Sequence, residues 1–171
     1  MKLTLSAGLV AASAFALTLA GAPSEAHAQV GGGRNFGLGL ALGFPNVGIS
    51  ANIIQGSNSI QLVGALRYRN YSESGGLFLR GDYLFYPAVL TRASALDLKF
   101  YVGPGVNLGL GLGRADGFYL GAELPVGLAF QFRRVPIDIG LEAVPVLTLL
   151  SSNEFGLGFG IGGAAHIRYY F

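Results

Sequence analysis

Apolar and polar positions alternate along most of the chain with a period of two residues. In one such segment, Leu96, Leu98 and Phe100 share one face, while Asp97 and Lys99 lie on the other. This is the period of a β-strand, in which successive side chains point to opposite faces, and not that of an α-helix. The same alternation recurs in the other apolar segments, so the sequence predicts an all-β protein.

Eight segments of this kind are separated by clusters of glycine, proline, serine and asparagine, which favour turns. Strands of ~9–11 residues cross a bilayer at a tilt, and about 18 residues per strand and connection fit the smallest membrane barrels. The predicted fold is therefore an all-β, eight-stranded antiparallel up-and-down transmembrane β-barrel. The predicted strands are 35–44, 47–54, 59–68, 77–86, 96–109, 117–132, 135–149 and 155–171.

The two faces of these strands differ in composition. One face is apolar in all eight segments, whereas the other consists mainly of glycine, alanine and serine with sparse charges. A membrane barrel has an apolar exterior and a polar, filled interior, and a soluble lipocalin-like barrel has the reverse. Aromatic residues near the strand ends resemble the interfacial girdles of membrane barrels. The faces therefore favour a membrane barrel over a soluble exported one.

Composition narrows the class further. Only 12% of the 171 residues are charged and 51% are hydrophobic, which excludes intrinsic disorder. The net charge of +2 is too small to indicate nucleic-acid binding. The absence of cysteine excludes a disulfide scaffold, a thiolate metal site and a cysteine nucleophile. We predict no cofactor and no metal site.

The beginning of the chain has the features of a secretory signal peptide. Lys2 precedes an apolar stretch, and the Ala-His-Ala sequence that ends at Ala28 fits the small-x-small cleavage rule. We expect residues 1–28 to direct export and residues 29–171 to form the barrel domain. The expected location is the outer membrane of a diderm bacterium.

Three prolines fall inside the predicted strands, at Pro104, Pro125 and Pro145. Proline lacks the N–H group that a strand ladder needs, and a closed barrel offers no edge strand on which to place it. We therefore expect bulges at these positions or strands that end there.

Charged residues at inward positions are nearly balanced in sign. Burying charge in a narrow interior is costly unless the charges are paired, and an eight-stranded interior is filled by side chains. We therefore expect an ion-pair network in the lumen rather than an open channel. The predicted network comprises Arg67, Arg80, Asp82, Asp97, Lys99, Glu123, Asp138, Glu142, His166 and Arg168.

His166 is the only histidine after the predicted cleavage site, so any histidine-based mechanism depends on it. A turn near Ser152 places His166 opposite Asp138 in the last hairpin. This pair is half of a hydrolase triad, but a nucleophilic serine or threonine is not evident, so we expect a structural hydrogen bond and no catalytic residues. The alternatives for the lumen charges are a selectivity ring, or a carboxylate pair of Glu123 and Glu142 for acid/base chemistry. A small pore for hydrophilic solutes and a lipid-modifying enzyme remain the alternative functions.

Four stretches of the sequence have the character of barrel strands. They are FGLGLALGFPNVGISANI (36–53), LFLRGDYLFYP (77–87), PVGLAFQFRRVPIDIGLEAVPVLTLL (125–150) and HIRYYF (166–171). Together they resemble a domain-of-unknown-function family of small outer-membrane barrels from spirochaetes and other diderm bacteria. The resemblance implies an outer-membrane location and supplies no catalytic residues.

The last predicted strand ends on an aromatic residue, with Tyr169 and Phe171 on its outward face. This ending resembles the signal by which the bacterial barrel-assembly machinery recognises outer-membrane proteins. The resemblance makes Tyr169 and Phe171 a predicted assembly signal. The expected partners are that machinery, outer-membrane lipid and an unidentified surface ligand, and the expected role is structural or interaction-based and non-enzymatic.

Overall fold

The strands predicted by the alternating pattern form one antiparallel sheet. The computed structural model describes residues 34–43, 46–67, 75–112, 117–152 and 157–171, and the predicted signal peptide lies outside the described residues. Within these ranges, no helix is long and apolar enough to cross a membrane. The strands are β1 (Phe36–Gly43), β2 (Asn46–Gln55), β3 (Asn58–Arg67), β4 (Gly75–Arg92), β5 (Leu96–Val102), β6 (Gly105–Leu112), β7 (Phe118–Glu123), β8 (Val126–Phe132), β9 (Ile137–Ser151) and β10 (Gly158–Tyr170).

The sheet closes on itself. β1 pairs with β2 on one side and with β10 on the other. β4 pairs with β3 on one side and with both β5 and β6 on the other. β5 pairs in turn with β8, and β6 pairs with β7. Both β7 and β8 pair with β9, which pairs with β10. The result is an up-and-down barrel with the first and last strands side by side.

The all-β antiparallel class is confirmed, but the described residues form ten strands rather than eight. Pro104 separates β5 from β6, and Pro125 separates β7 from β8, because proline has no N–H group for the ladder. The carbonyl groups at both breaks still accept hydrogen bonds, from the backbone N–H of Tyr83 (2.9 Å) and of Gly103 (3.2 Å) respectively. Each pair of short strands therefore occupies the place of one predicted strand. Pro145 lies inside β9 without ending it.

Side chains divide between the two faces as the alternation predicts. Outward apolar side chains are exposed, among them Leu40 (56%), Ile49 (58%) and Leu66 (65%). Inward polar side chains such as Gln61 and Arg168 are buried, with exposed fractions of 0% and 1%. The molecule thus has an apolar exterior and a polar interior, the reverse of a soluble globular protein.

The two ends of the barrel are distinguished by where β1 begins and β10 ends. Phe36 and Phe171 lie together at one end, which we call the proximal end, because the N–H of Phe171 donates to the carbonyl of Phe36 (2.8 Å). Gly56, in the tight turn between β2 and β3 at the same end, has a φ of 65°, a left-handed conformation that favours glycine. The distal end is the one where β1 ends at Gly43 and β10 begins at Gly158.

Candidate functional site

Arg80 is the centre of a buried cluster in the barrel interior. Its Nε lies 2.7 Å from Oδ2 of Asp82 and 2.5 Å from Oε1 of Glu123, and its Nη1 contacts Oε1 of Glu142. Asp82 follows Arg80 by two residues on β4, so both side chains point inward, while Glu123 and Glu142 come from β7 and β9. We call these four residues the Arg80 cluster. Three carboxylates thus share one guanidinium group.

Glu142 has three further hydrogen-bond partners. Its Oε1 lies 2.8 Å from Nε2 of His166, and its Oε2 accepts from the Tyr101 hydroxyl (2.9 Å) and from Nε2 of Gln61 (3.3 Å). An ionised carboxylate only accepts hydrogen bonds, so Nε2 of His166 carries the proton in this pair. These donors stabilise a carboxylate whose side chain is fully buried.

A second cluster lies closer to the proximal end. Arg168 makes a bidentate pair with Asp138, with Nε–Oδ1 and Nη2–Oδ2 distances of 2.9 and 3.0 Å. The Tyr170 hydroxyl donates to the same carboxylate (2.7 Å) and accepts from Nδ2 of Asn52 (2.8 Å). We call these four residues the Arg168 cluster. Bidentate geometry is the strongest form of an arginine–carboxylate pair.

Gln61 joins the two clusters. Its Oε1 accepts from Nη1 of Arg168 (2.6 Å), and its Nε2 donates to Asp82 (3.2 Å) and to Glu142 (3.3 Å). Asn107 extends the network by donating from Nδ2 to Oε2 of Glu123 (2.5 Å). One connected set of hydrogen bonds and ion pairs therefore crosses the barrel interior.

The structure places most of the predicted network residues inside the barrel. The buried ones are Arg80, Asp82, Lys99, Glu123, Asp138, Glu142, His166 and Arg168. Asp97 lies apart at the start of β5, where its Oδ1 accepts from Nη2 (2.7 Å) and Nε (3.1 Å) of Arg133. This hydrogen bond raises the pKa of the exposed Arg133 guanidinium. The side chain of Arg67 lies outside the described part of the structure.

The expected hydrogen bond between Asp138 and His166 is wrong. In the pairing of β9 with β10, Arg168 lies opposite Asp138, and His166 lies opposite Gly140. The register between β9 and β10 is therefore offset by two residues from the expected one. His166 consequently contacts Glu142 and not Asp138.

Several uncharged residues of the network were not predicted. They are Asn52, Gln61, Tyr101, Asn107 and Tyr170. All occupy inward strand positions. Four of them donate hydrogen bonds to carboxylates, and Asn52 donates to the Tyr170 hydroxyl. These residues could have been predicted from an amide or phenol group at an inward strand position, because such a group is seldom buried without a hydrogen-bond partner.

A cavity of about 140 Å³ lies between the Arg80 cluster and the distal end. Polar side chains of Arg80, Asn107, Glu123 and His166 form its floor. Its walls are largely apolar and include Val63, Phe78, Val144 and Val146. Among the described residues, no group of three or more His, Cys, Asp or Glu side chains is placed to hold a metal ion.

No protein-family model and no curated protein matches the sequence. The resemblance to the family of small spirochaete barrels therefore stays a prediction. Among solved structures, the chain is similar to Ail, the attachment invasion locus protein of Yersinia pestis, with 13% sequence identity and a TM-score of 0.40. The match covers 80% of this chain and 97% of the Ail chain.

Proposed function

We propose that the protein is a small non-enzymatic β-barrel of the bacterial outer membrane, with a lumen closed by side chains and a structural or surface-interaction role. The observation that carries this proposal is the combination of an apolar exterior with an ion-paired interior. In lipid, every backbone N–H and C=O group needs a partner within the protein, and a closed ring of strands supplies them. A closed barrel with this polarity is suited to a bilayer.

The exposed apolar surface supports the membrane location. Exposed leucine, isoleucine or valine side chains occur on eight of the ten described strands, whereas soluble monomers rarely expose contiguous apolar patches beyond a few hundred Å². Aromatic rings also cluster at the proximal end. The ring centroid of Phe171 lies 5.0 Å from that of Tyr169 and 6.4 Å from that of Phe36. The rings of Tyr83 and Phe85 meet edge to face, with their centroids 5.0 Å apart. Such a cluster fits the interfacial girdle of a membrane barrel.

The filled interior supports a closed barrel over a pore. Arg168, Gln61 and Tyr101 are almost fully buried in the centre of the lumen and are held there by hydrogen bonds from different strands. The same contacts give little support to catalysis. Glu123 and Glu142 both bind Arg80, and His166 binds Glu142. A triad would need a nucleophile on the other side of that histidine.

The proposal includes the route to the membrane. Export by residues 1–28 is supported by the apolar stretch and the small residues before the cleavage site. Insertion by the barrel-assembly machinery is supported by the aromatic chain end. The surface ligand of the barrel is not identified by these features.

The location and the closed lumen are tested together. Produced with its signal peptide in a diderm bacterium, the protein should fractionate with outer membranes and resist extraction by salt and alkali. Unboiled samples should migrate differently from boiled ones on a denaturing gel. In planar bilayers, the purified barrel should show none of the ohmic conductance of an open aqueous pore. Recovery of soluble protein from the periplasm would contradict the location, and a large conductance would contradict the closed lumen.

The apolar exterior predicts that an outward charged substitution lowers stability more in the middle of the bilayer than near its surface. Leu79 lies in the part of β4 that pairs with the interiors of β3 and β6, opposite Gly64 and Leu108. Leu79→Arg should lower the free energy of unfolding in lipid by about 2–4 kcal/mol, because an outward arginine there lies deep in the bilayer. Leu90→Arg near the end of the same strand is the matched control, and we expect a loss of about 0–1 kcal/mol. Both leucines are exposed, by 42% and 53%. Equal losses in urea unfolding experiments would contradict a bilayer around this strand.

A further inference from the structure

The cavity above the Arg80 cluster has the features of a binding site for a small amphiphilic molecule. Its floor is polar and its walls are largely apolar, so one end of a ligand would meet hydrogen-bonding groups and the rest would meet Val63, Phe78 and Val144. An apolar cavity of ~150 Å³ accommodates a benzene molecule. The volume of about 140 Å³ therefore suits a ligand of five or six non-hydrogen atoms.

Two acceptor atoms on the cavity floor have no hydrogen-bond partner, although both residues are only 2% exposed. They are Nδ1 of His166 and Oδ1 of Asn107. The orientation of each group is fixed, because Nε2 of His166 faces Glu142 and Nδ2 of Asn107 donates to Glu123. A carboxylate only accepts, so a proton lies on Nε2 of the imidazole and the NH₂ group of the amide faces Glu123. In the imidazole that carries this one proton, Nδ1 is an acceptor, as is Oδ1 of the amide. Buried acceptors of this kind normally have a donor.

The acidic side chains of the Arg80 cluster, which lie beneath the cavity, favour a ligand whose donor group is cationic. Arg80 faces three acidic side chains, so acidic groups outnumber basic ones in its cluster. The other buried cations, Arg168 and Lys99, lie further toward the proximal end. Nη2 of Arg80 is an unpartnered donor, but the charge of this guanidinium is already opposed by its neighbours. Because charges interact strongly in a low-dielectric interior, a positive group above this cluster is stabilised.

We propose that the distal cavity binds a small aliphatic primary ammonium ion. The ammonium group donates to Nδ1 of His166 and Oδ1 of Asn107, and the alkyl part packs against the apolar walls. An ammonium group has three donors and no acceptor, which matches the unpartnered atoms of His166 and Asn107 above a cluster in which acidic side chains outnumber basic ones. The binding requires only the barrel interior, so it can hold or fail independently of the membrane location.

Isobutylammonium chloride is the probe, and isobutanol and sodium isobutyrate are its neutral and anionic analogues. Titration calorimetry on the folded barrel in detergent at pH 7 should give saturable binding of the amine. The amine should bind at least about tenfold more tightly than the alcohol, and the carboxylate should not bind. Equal affinities for amine and alcohol would overturn the assignment of a cation site. No saturable amine binding at all would overturn the site itself.

Two glycine substitutions on β10 separate binding in the cavity from binding elsewhere. A Cβ at Gly162, which lines the cavity, would have the carbonyl oxygen of Val144 as its nearest neighbour at 3.8 Å. Gly162→Leu is therefore accommodated at its Cβ and should abolish amine binding by filling the cavity. Gly160 lies two residues away on the same face, and a Cβ there meets nothing within 4 Å. Gly160→Leu should retain the affinity of the parent, and an equal effect of both substitutions would contradict the proposed place.

The floor acceptor is tested by Asn107→Leu, which should weaken amine binding at least about tenfold and leave the weak alcohol binding unchanged. Heat-modifiable migration shows whether this variant is folded. If it is not, the comparison of Gly162→Leu with Gly160→Leu still decides whether the cavity binds the amine. A folded Asn107→Leu variant with the affinity of the parent would exclude this amide as the ammonium acceptor.

Discussion

Arg80→Leu should lower the free energy of unfolding by about 3–5 kcal/mol, because it leaves three carboxylates in the barrel interior without their counter-ion. Urea unfolding of the barrel in detergent or lipid measures this loss. Insertion into the membrane should persist, since the outward apolar face is unchanged. Glu142→Leu should act in the same direction, because it removes the acceptor of His166 and Tyr101.

The control for Arg80 is Arg133, whose ion pair with Asp97 lies at the proximal end with 46% of the arginine side chain exposed. Surface pairs contribute little because water and salt screen them. We therefore expect the urea midpoint of Arg133→Leu to remain near that of the parent. If Arg80→Leu also unfolds like the parent, the Arg80 cluster does not contribute to stability.

A combined variant distinguishes loss of pairing from loss of packing. Adding Asp82→Asn and Glu123→Gln to Arg80→Leu should recover part of the lost stability, because neutral amides need no counter-charge in the interior. Such residues share one network, so their effects should not be additive. Purely additive losses would indicate that Arg80 acts through its packing alone.

The sequence predicts on which side of the sheet a residue lies, because successive side chains of a strand point to opposite faces. This alternation located Arg80, Glu142 and Arg168 in the interior, although they are far apart in the chain. It does not give depth along the barrel, and Asp97 illustrates the difference. Asp97 is the second residue of β5, so it lies beside Arg133 at the proximal end instead of in the central network.

The pairs themselves could not be predicted in the same way. Gln61 and Arg168 are 107 residues apart in sequence, and their contact depends on the closure of the barrel and on the stagger of its strands. Register is equally sensitive within one hairpin. An offset of two residues between β9 and β10 places Arg168, and not the expected His166, opposite Asp138.

The seam between β1 and β10 brings together the two chain ends in the described barrel. At this seam the N–H of Phe171 donates to the carbonyl of Phe36 (2.8 Å). On the other side of β10, the N–H of Tyr170 donates to the carbonyl of Pro136 (2.7 Å), just before β9. The Phe171 ring is 65% exposed and touches other aromatic rings at the same end. An exposed ring contributes little to burial, so its effect on the folded barrel should be small. A large effect on assembly would therefore indicate recognition during biogenesis.

Deleting Phe171 should remove most of the heat-modifiable protein from outer membranes at equal expression, while refolding of the purified chain in detergent should change little. Phe171→Ala separates the two contributions, because it keeps the backbone hydrogen bond to Phe36 and loses only the ring. If the ring is the assembly signal, this variant should assemble as poorly as the deletion. Phe159→Ala is the control, since Phe159 is an exposed aromatic residue on the same strand (74%) but far from the chain end. Normal assembly of the deletion variant would show that Phe171 is neither signal nor anchor. Poor assembly of the deletion alone, with Phe171→Ala normal, would assign the effect to the hydrogen-bonded seam, whose open edge in lipid would leave backbone groups unpaired.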